Sequence, residues 1–212
     1  MRRKPAELRK SDIVEAVLVL ADRIGPDRLT TNDVARMVGI TQAAIFRHFP
    51  SKSDMWAAVG ETLSDRMTTV WAEALAQGQG DPARRLRALI AAQFGQIERW
   101  PAVPAILHSR ELAVSNGPLR DTCNTIMLTF RAHLADCLTR MKADRALRPD
   151  LSPQDGAMLL IFLVQGLAIR WTLGARTFPL VEEGSRMLEV QLGLFAGPDS
   201  GDPAIDTPQA KP

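Results

Sequence analysis

Apolar residues recur along this chain at three- and four-residue spacing, and strand-like alternation is scarce. Ile13, Val17, Ala21 and Ile24 form one stripe, which predicts a first helix from about Glu7 to Ile24. Gly25-Pro26-Asp27 ends it, because glycine accepts a left-handed cap and proline cannot continue a helix. A short second helix is expected over 32–38, with Thr31 as its N-cap and Gly39 as its stop. Thr41 is expected to cap a third, over 42–49, closed by Pro50. A fourth runs from near Ser53 to Gln77, and Asp81-Pro82 reads as a cap followed by a first-turn proline. Further helices are expected at 82–99, 103–114, 118–143, 153–174 and 181–196, set apart by Trp100-Pro101, Asn116-Gly117-Pro118 and the turn 148–153. The pattern is an all-α chain of about nine helices without internal repeats.

Composition narrows the class. With 46% apolar and 24% charged residues, the 212-residue chain has material for a sizeable core. Its net charge of +2 is unevenly spread. Residues 1–52 hold 10 Lys/Arg against 6 Asp/Glu, whereas 53–212 hold 16 against 18, so the N-terminal quarter is the polyanion candidate. Within it Arg2, Arg3, Lys4, Arg9 and Lys10 face one acid, Glu7; the alternative is a solvated terminus. Two cysteines, Cys123 and Cys137, are too few for a disulfide framework and suit a reducing cytoplasm. No apolar run follows the basic N-terminus as a signal peptide would require. The greasiest stretch, Ala157 to Ile169, is shorter than the roughly 20 residues that span a bilayer, so a buried helix and no membrane contact are expected. Residues 197–212 are proline-rich and poor in large apolar groups, and are expected to be a disordered tail.

The informative stretch is Leu29 to Lys52. Two short helices joined by a glycine-containing turn make a helix-turn-helix. Val34, Ala35 and Val38 point inward in this reading, and Ile45 and Phe49, four apart, anchor the third helix. Gln42, Ala43, Phe46 and Arg47 are left on the outer face, where the start of such a helix reaches base edges in the major groove.

Thr30/Thr31, Asp33, Val34, Ala35, Gly39, Ile40, Thr41, Ala43, Ile45, Phe46, His48, Phe49, Ser51 and Lys52 stand in register with the signature of the TetR family of bacterial regulators, which the chain resembles. The resemblance implies a DNA-binding head over 1–52 and a helical ligand-binding and dimerisation body over 53–196. It implies that Thr31 caps the second helix and approaches a phosphate, that Gln42, Ala43 and Ala44 face bases or adjoining backbone, and that His48 and Lys52 touch phosphates. The aromatic position usually holds tyrosine; Phe46 lacks the hydroxyl and keeps only apolar contact, such as with a thymine methyl. Gln42 carries the amide that pairs with adenine, and Arg47 the guanidinium that takes guanine or a phosphate; a solvated side chain is the alternative for each. With Thr41 these are the expected DNA-binding residues.

The remainder offers no catalytic pairing, metal cluster or cofactor motif. His133 and Cys137 share one helix face but make two ligands, not a site. The family resemblance implies an apolar pocket for a small-molecule inducer. Its candidate lining is Phe94, Trp100, His108, Met127, Phe130, His133, Phe162, Gln165 and Trp171, with Arg110 and Arg170 as further polar candidates; core packing is the alternative for every one. The last two helices are expected to form the homodimer interface, with Gly166, Gly174, Gly184 and Gly193 allowing close approach and Leu188, Leu192 and Phe195 as its apolar stripe. The functional expectation is a repressor of a palindromic double-stranded operator, released when ligand shifts the helix that joins the body to the fourth helix and so changes the separation of the two heads. A ligand-independent chromosomal DNA-binding factor is the rival reading. An enzyme is a third class, without a nucleophile, phosphate loop or metal signature to support it.

Overall fold

The computed structural model describes residues 6–78 and 80–197. Ten helices follow one another: α1 Ala6–Ile24, α2 Thr31–Val38, α3 Gln42–His48, α4 Lys52–Gln77, α5 Pro82–Arg99, α6 Ala102–Leu107, α7 Arg110–Ser115, α8 Gly117–Ala143, α9 Pro153–Leu173 and α10 Leu180–Phe195. The basic residues 2–4 and all of the expected tail but Gly197 lie outside the described residues.

Local chemistry fixes the first elements. Gly25 and Gly39 adopt φ of 85° and 73°, the left-handed region that lets the chain reverse after α1 and α2. The cap of α2 is Thr30, not Thr31: its hydroxyl accepts from the Asp33 amide at 3.2 Å, and the Asp33 carboxylate accepts in return from the Thr30 amide and hydroxyl. Thr31 is therefore the first helical residue. Thr41 caps α3 as expected, accepting from Ala44 N, and Ser51 with Asp54 repeats the reciprocal arrangement at the start of α4. Asp81 accepts from two amides beside Pro82.

The expected helix over 103–114 is two helices. Ser109 breaks it by turning its hydroxyl onto Leu112 N at 3.0 Å and starting α7 afresh, so there are ten helices rather than nine among the described residues.

One core runs from the first helices into the body. Ile13, Val17, Val34 and Ile45 continue through Met55, Trp56 and Leu63 of α4 into Trp71, Leu89, Phe94, Phe130 and Leu160. No linker marks residue 52, because the first turn of α4 begins there. At 21 residues, α9 is in fact long and apolar enough to cross a membrane by length and composition. Its packing accounts for that apolarity: Leu160, Ile161, Val164, Leu167, Ala168 and Trp171 are buried. Its other side stays open, with Leu159, Phe162, Ile169 and Leu173 exposed beside Val190 and Leu194 of α10.

Candidate DNA interface and body cavity

The two short helices present a compact polar face. Gln42, Ala43, Phe46 and Arg47 are exposed on α3, with Phe46 at 41%, and Lys52 is exposed at the first turn of α4. Ile45 and Phe49 hold α3 from beneath. Ala44, expected to face bases or the adjoining backbone, is buried on the inner side of this short helix with Ile45. His48 is half-buried and Thr41 exposed, its oxygen engaged by Ala44 N. Thr31 is largely buried, and its hydroxyl oxygen accepts a 2.7 Å hydrogen bond from Gln42 Nε2. Three anchors tie this head to the body, and a fourth contact braces the start of α4. Glu15 pairs with Arg66, Asp22 with Arg176, the Ser109 hydroxyl donates to Asp27 at 2.5 Å, and Asn116 Nδ2 donates to the Ser53 carbonyl at 2.9 Å.

Inside the body, α5, α6, α8 and α9 line a partly open cavity of about 30 Å3. Its wall is apolar (Ile97, Val103, Leu107 and Phe130 among others) with Gln93, His108 and Gln165 as polar groups. Of the nine residues expected to line a pocket, it brings together His108, Met127, Phe130 and Gln165. The other five sit elsewhere. Phe94 is fully buried against Gly184; His133 stands edge-on to Trp71 at 6.1 Å; Trp171 donates from Nε1 to the Phe178 carbonyl. Trp100 faces a separate cleft beneath Arg66, and Phe162 points outward at 57% exposure. Arg110 and Arg170 do not line the cavity either. Gln93 and the α6 residues were missed. Gln93 is legible only afterwards, as the acceptor that the buried Trp71 indole requires at 2.9 Å.

Burial lowers the pKa of His108, favouring neutral imidazole at the cavity wall. It does the same for His133, and it raises the Cys123 thiol to about 11. No group of three or more metal-ligating side chains occurs among the described residues.

The expected dimer stripe is also corrected. Leu188, Leu192 and Phe195 are buried within their own chain, and a Cβ on Gly184 would strike the Phe94 ring at 2.2 Å, so this face of α10 belongs to the core. Gly174 serves as the C-cap of α9. Gly166 and Gly193 do face open space, among the exposed residues of α9 and α10.

Two family models cover most of this architecture. Residues 13–59 match the model of bacterial regulatory proteins of the tetR family, and residues 82–192 match the C-terminal model of BetI-type transcriptional repressors. The chain belongs to the TetR family of transcriptional regulators. It is 30% identical to a nucleoid occlusion factor, SlmA, of Pectobacterium carotovorum, over 63% of this chain and 68% of that protein. Among solved structures, a TetR-family regulator from Agrobacterium tumefaciens shares the fold with a TM-score of 0.75 at 22% identity, covering 91% of this chain and 100% of that one. FadR of Bacillus subtilis, solved in complex with stearoyl-CoA, gives 0.72 at 15% identity over 86% and 97%. As a family member the chain is a DNA-binding regulator, and no enzyme family is indicated.

Proposed function

We propose that the protein is a cytoplasmic repressor that binds a palindromic operator as a homodimer and lets go when a small apolar or amphipathic ligand enters the body. The observation that carries this reading is the cavity and what borders it. At about 30 Å3 it holds one or two waters, whereas a ligand pocket needs several hundred Å3, so occupancy requires its walls to part. Among those walls α6 is the shortest element, its N-terminus lacks a side-chain cap, and its end leads directly into Ser109, whose hydroxyl holds Asp27 in the turn between α1 and α2. A ligand that displaces α6 pulls on that bond or breaks it. On the α5 wall Gln93 holds Trp71 of α4, so movement there reaches the helix that begins at Lys52. Ligand and operator then favour different states, which is all that coupling requires.

A second copy of the chain is the occupant that fits the exposed face of α9 and α10. Phe162, Gly166, Ile169 and Leu173 recur at four- and three-residue spacing and make one apolar stripe, with Val190 and Leu194 beside it. Two such faces form a four-helix interface, and two heads match a two-fold operator.

The test is selection of bound duplexes from a random DNA pool, followed by a thermal-shift screen of ligand pools, acyl thioesters and steroids included, and release of the selected operator by each hit. A palindrome and at least one releasing ligand are expected; a palindrome that no stabilising ligand releases would sink the ligand-responsive half. The similarity to SlmA favours one rival, a ligand-independent factor on chromosomal DNA, and that same outcome would support it.

A further inference from the structure

Three threonine hydroxyls, those of Thr30, Thr31 and Thr41, belong to the helix-turn-helix, and their hydrogen bonds separate them. Thr30 is spent on Asp33, both accepting and donating. Thr41 accepts from Ala44 N as the cap of α3. Thr31 differs: it is the first residue of α2, only 7% exposed, and its oxygen accepts from Gln42 Nε2, the side chain of the first residue of α3. The bond bridges the two helices at the end that enters the groove. Among the described residues the Thr31 hydroxyl hydrogen has no acceptor.

We propose that Thr31 is a specificity-determining positioning residue, which fixes the Gln42 carboxamide for adenine while its own hydroxyl hydrogen goes to a DNA phosphate. The inference rests on the reading of this face as a DNA reader and deepens it. With one Nε2 hydrogen committed to Thr31, Gln42 presents Oε1 as an acceptor and the second Nε2 hydrogen as a donor. Adenine offers the complementary pair in the major groove, the N6 amino hydrogen and the N7 acceptor. Turned over, the amide would exchange donor and acceptor positions and blunt the choice of base, and a free threonine hydroxyl could donate to the turned Oε1; once its hydrogen is given to phosphate, Thr31 is left only as an acceptor and holds Nε2 toward it. Anchoring also removes rotamer freedom before binding rather than during it. The phosphate bond then links the register of the backbone to the orientation of the reading group, so one threonine serves both kinds of contact.

The test is selection from random duplexes with the full chain, as wild type and as Gln42→Ala, Thr31→Val, Thr31→Ala and Thr31→Ser, each checked for an unchanged melting profile. Wild type should prefer adenine at one position per half-site by on the order of ten- to a hundredfold. Gln42→Ala should flatten that position. Thr31→Val should flatten the same position to a few-fold preference although Gln42 is intact, and Thr31→Ser should restore it. Thr31→Ala repeats the loss should valine disturb the packing. If Thr31→Val and Thr31→Ala weaken every sequence alike and leave that preference standing, Thr31 is a backbone contact only and the proposal is overturned. Flattening at a different position from Gln42→Ala overturns it as well. Failure of wild type to enrich any sequence would instead defeat the DNA-reading interpretation on which it rests, a result readily told apart.

Discussion

The head and the body both cap helices locally, but among the described residues only the body also meets open helix amides from far along the chain. In the head the open amides of α2, α3 and α4 are met by Thr30, Thr41 and Ser51, each three residues from its partner. In the body Asp81, Ser109, Asn116 and Ser152 cap their helices in the same local way, but the α10 amides of Leu180 and Val181 are met by Glu98 of α5, across 82 and 83 residues of sequence, and Trp71 finds Gln93 on the neighbouring helix. The head is thus assembled largely from instructions that its own short segments carry. The body is assembled by helices that depend on one another, which is the condition under which filling one cavity moves several of them together.

The sharpest way to break that contrast is at the exposed face of the body. Phe162→Asp with Leu173→Asp places a charge at each end of the proposed homodimer stripe, where no core residue is disturbed. Sedimentation should show a folded monomer, and it should melt below the dimeric parent by a margin that narrows as the parent is diluted, because association stabilises the parent. Operator affinity should fall by roughly a hundredfold or more, since one head loses the advantage of its tethered partner. A variant that remains dimeric, with operator binding intact, would place the interface elsewhere.

A matched pair of truncations sharpens the comparison itself. Phe94→Ala empties a fully buried ring site against Gly184 and should cost about 3–5 kcal/mol of stability. Thr30→Ala removes one local cap and should cost about 1 kcal/mol. Denaturant melts measure both. Hydrogen exchange should show the Thr30→Ala loss concentrated in α2 and the turn before it, whereas Phe94→Ala loosens α5, α9 and α10 together. Equal costs, or a cap loss spread through the body, would show that the two regions are not stabilised differently after all.

The same difference decides what the sequence discloses. Thr41, Gly39, Ser51 and Asp81-Pro82 can be read because the group each serves lies within a few residues. Even the misplacement of the α2 cap is one residue, between two adjacent threonines that only the Asp33 bond tells apart. The outer face of α3 is legible for Gln42, Ala43, Phe46 and Arg47 because Ile45 and Phe49 define its inner side, and Ala44 is lost because a seven-residue helix leaves its flank ambiguous. In the body, α9 is apolar nearly all round, so spacing does not say whether Phe162 or Val164 faces in. On α10 the inward Leu188 and Leu192 and the outward Val190 and Leu194 are chemically alike. The break at Ser109 and the hook onto Asp27 become visible only when two distant segments meet. Cavity residues such as Val103 and Leu107 carry no mark at all in the sequence; four helices have to be placed before they share a wall.

The smallest effect expected is one of pH, and it also divides head from body. The two histidines whose pKa is lowered by burial, His108 and His133, both lie in the body. Their folded values fall below the ordinary 6.5, so the unfolded chain takes up protons first as the solution is acidified. Stability is therefore undiminished above 6.5 and declines as pH falls through that value toward the folded ones. Asp33, Asp150, Glu183 and Glu189 have lowered values as well, but from ordinary ones of 3.8 or 4.5, so their contribution is lost only in stronger acid. Between about pH 6.5 and 5.5 the loss should come from the histidines. His108→Gln, which keeps a polar side chain at the cavity wall, should melt with a shallower pH dependence than the parent across that window while its operator contacts in α3 stay untouched. An unaltered slope would mean that the His108 environment opens readily enough to admit water and the proton, and the cavity would then be a softer part of the body than its small volume implies.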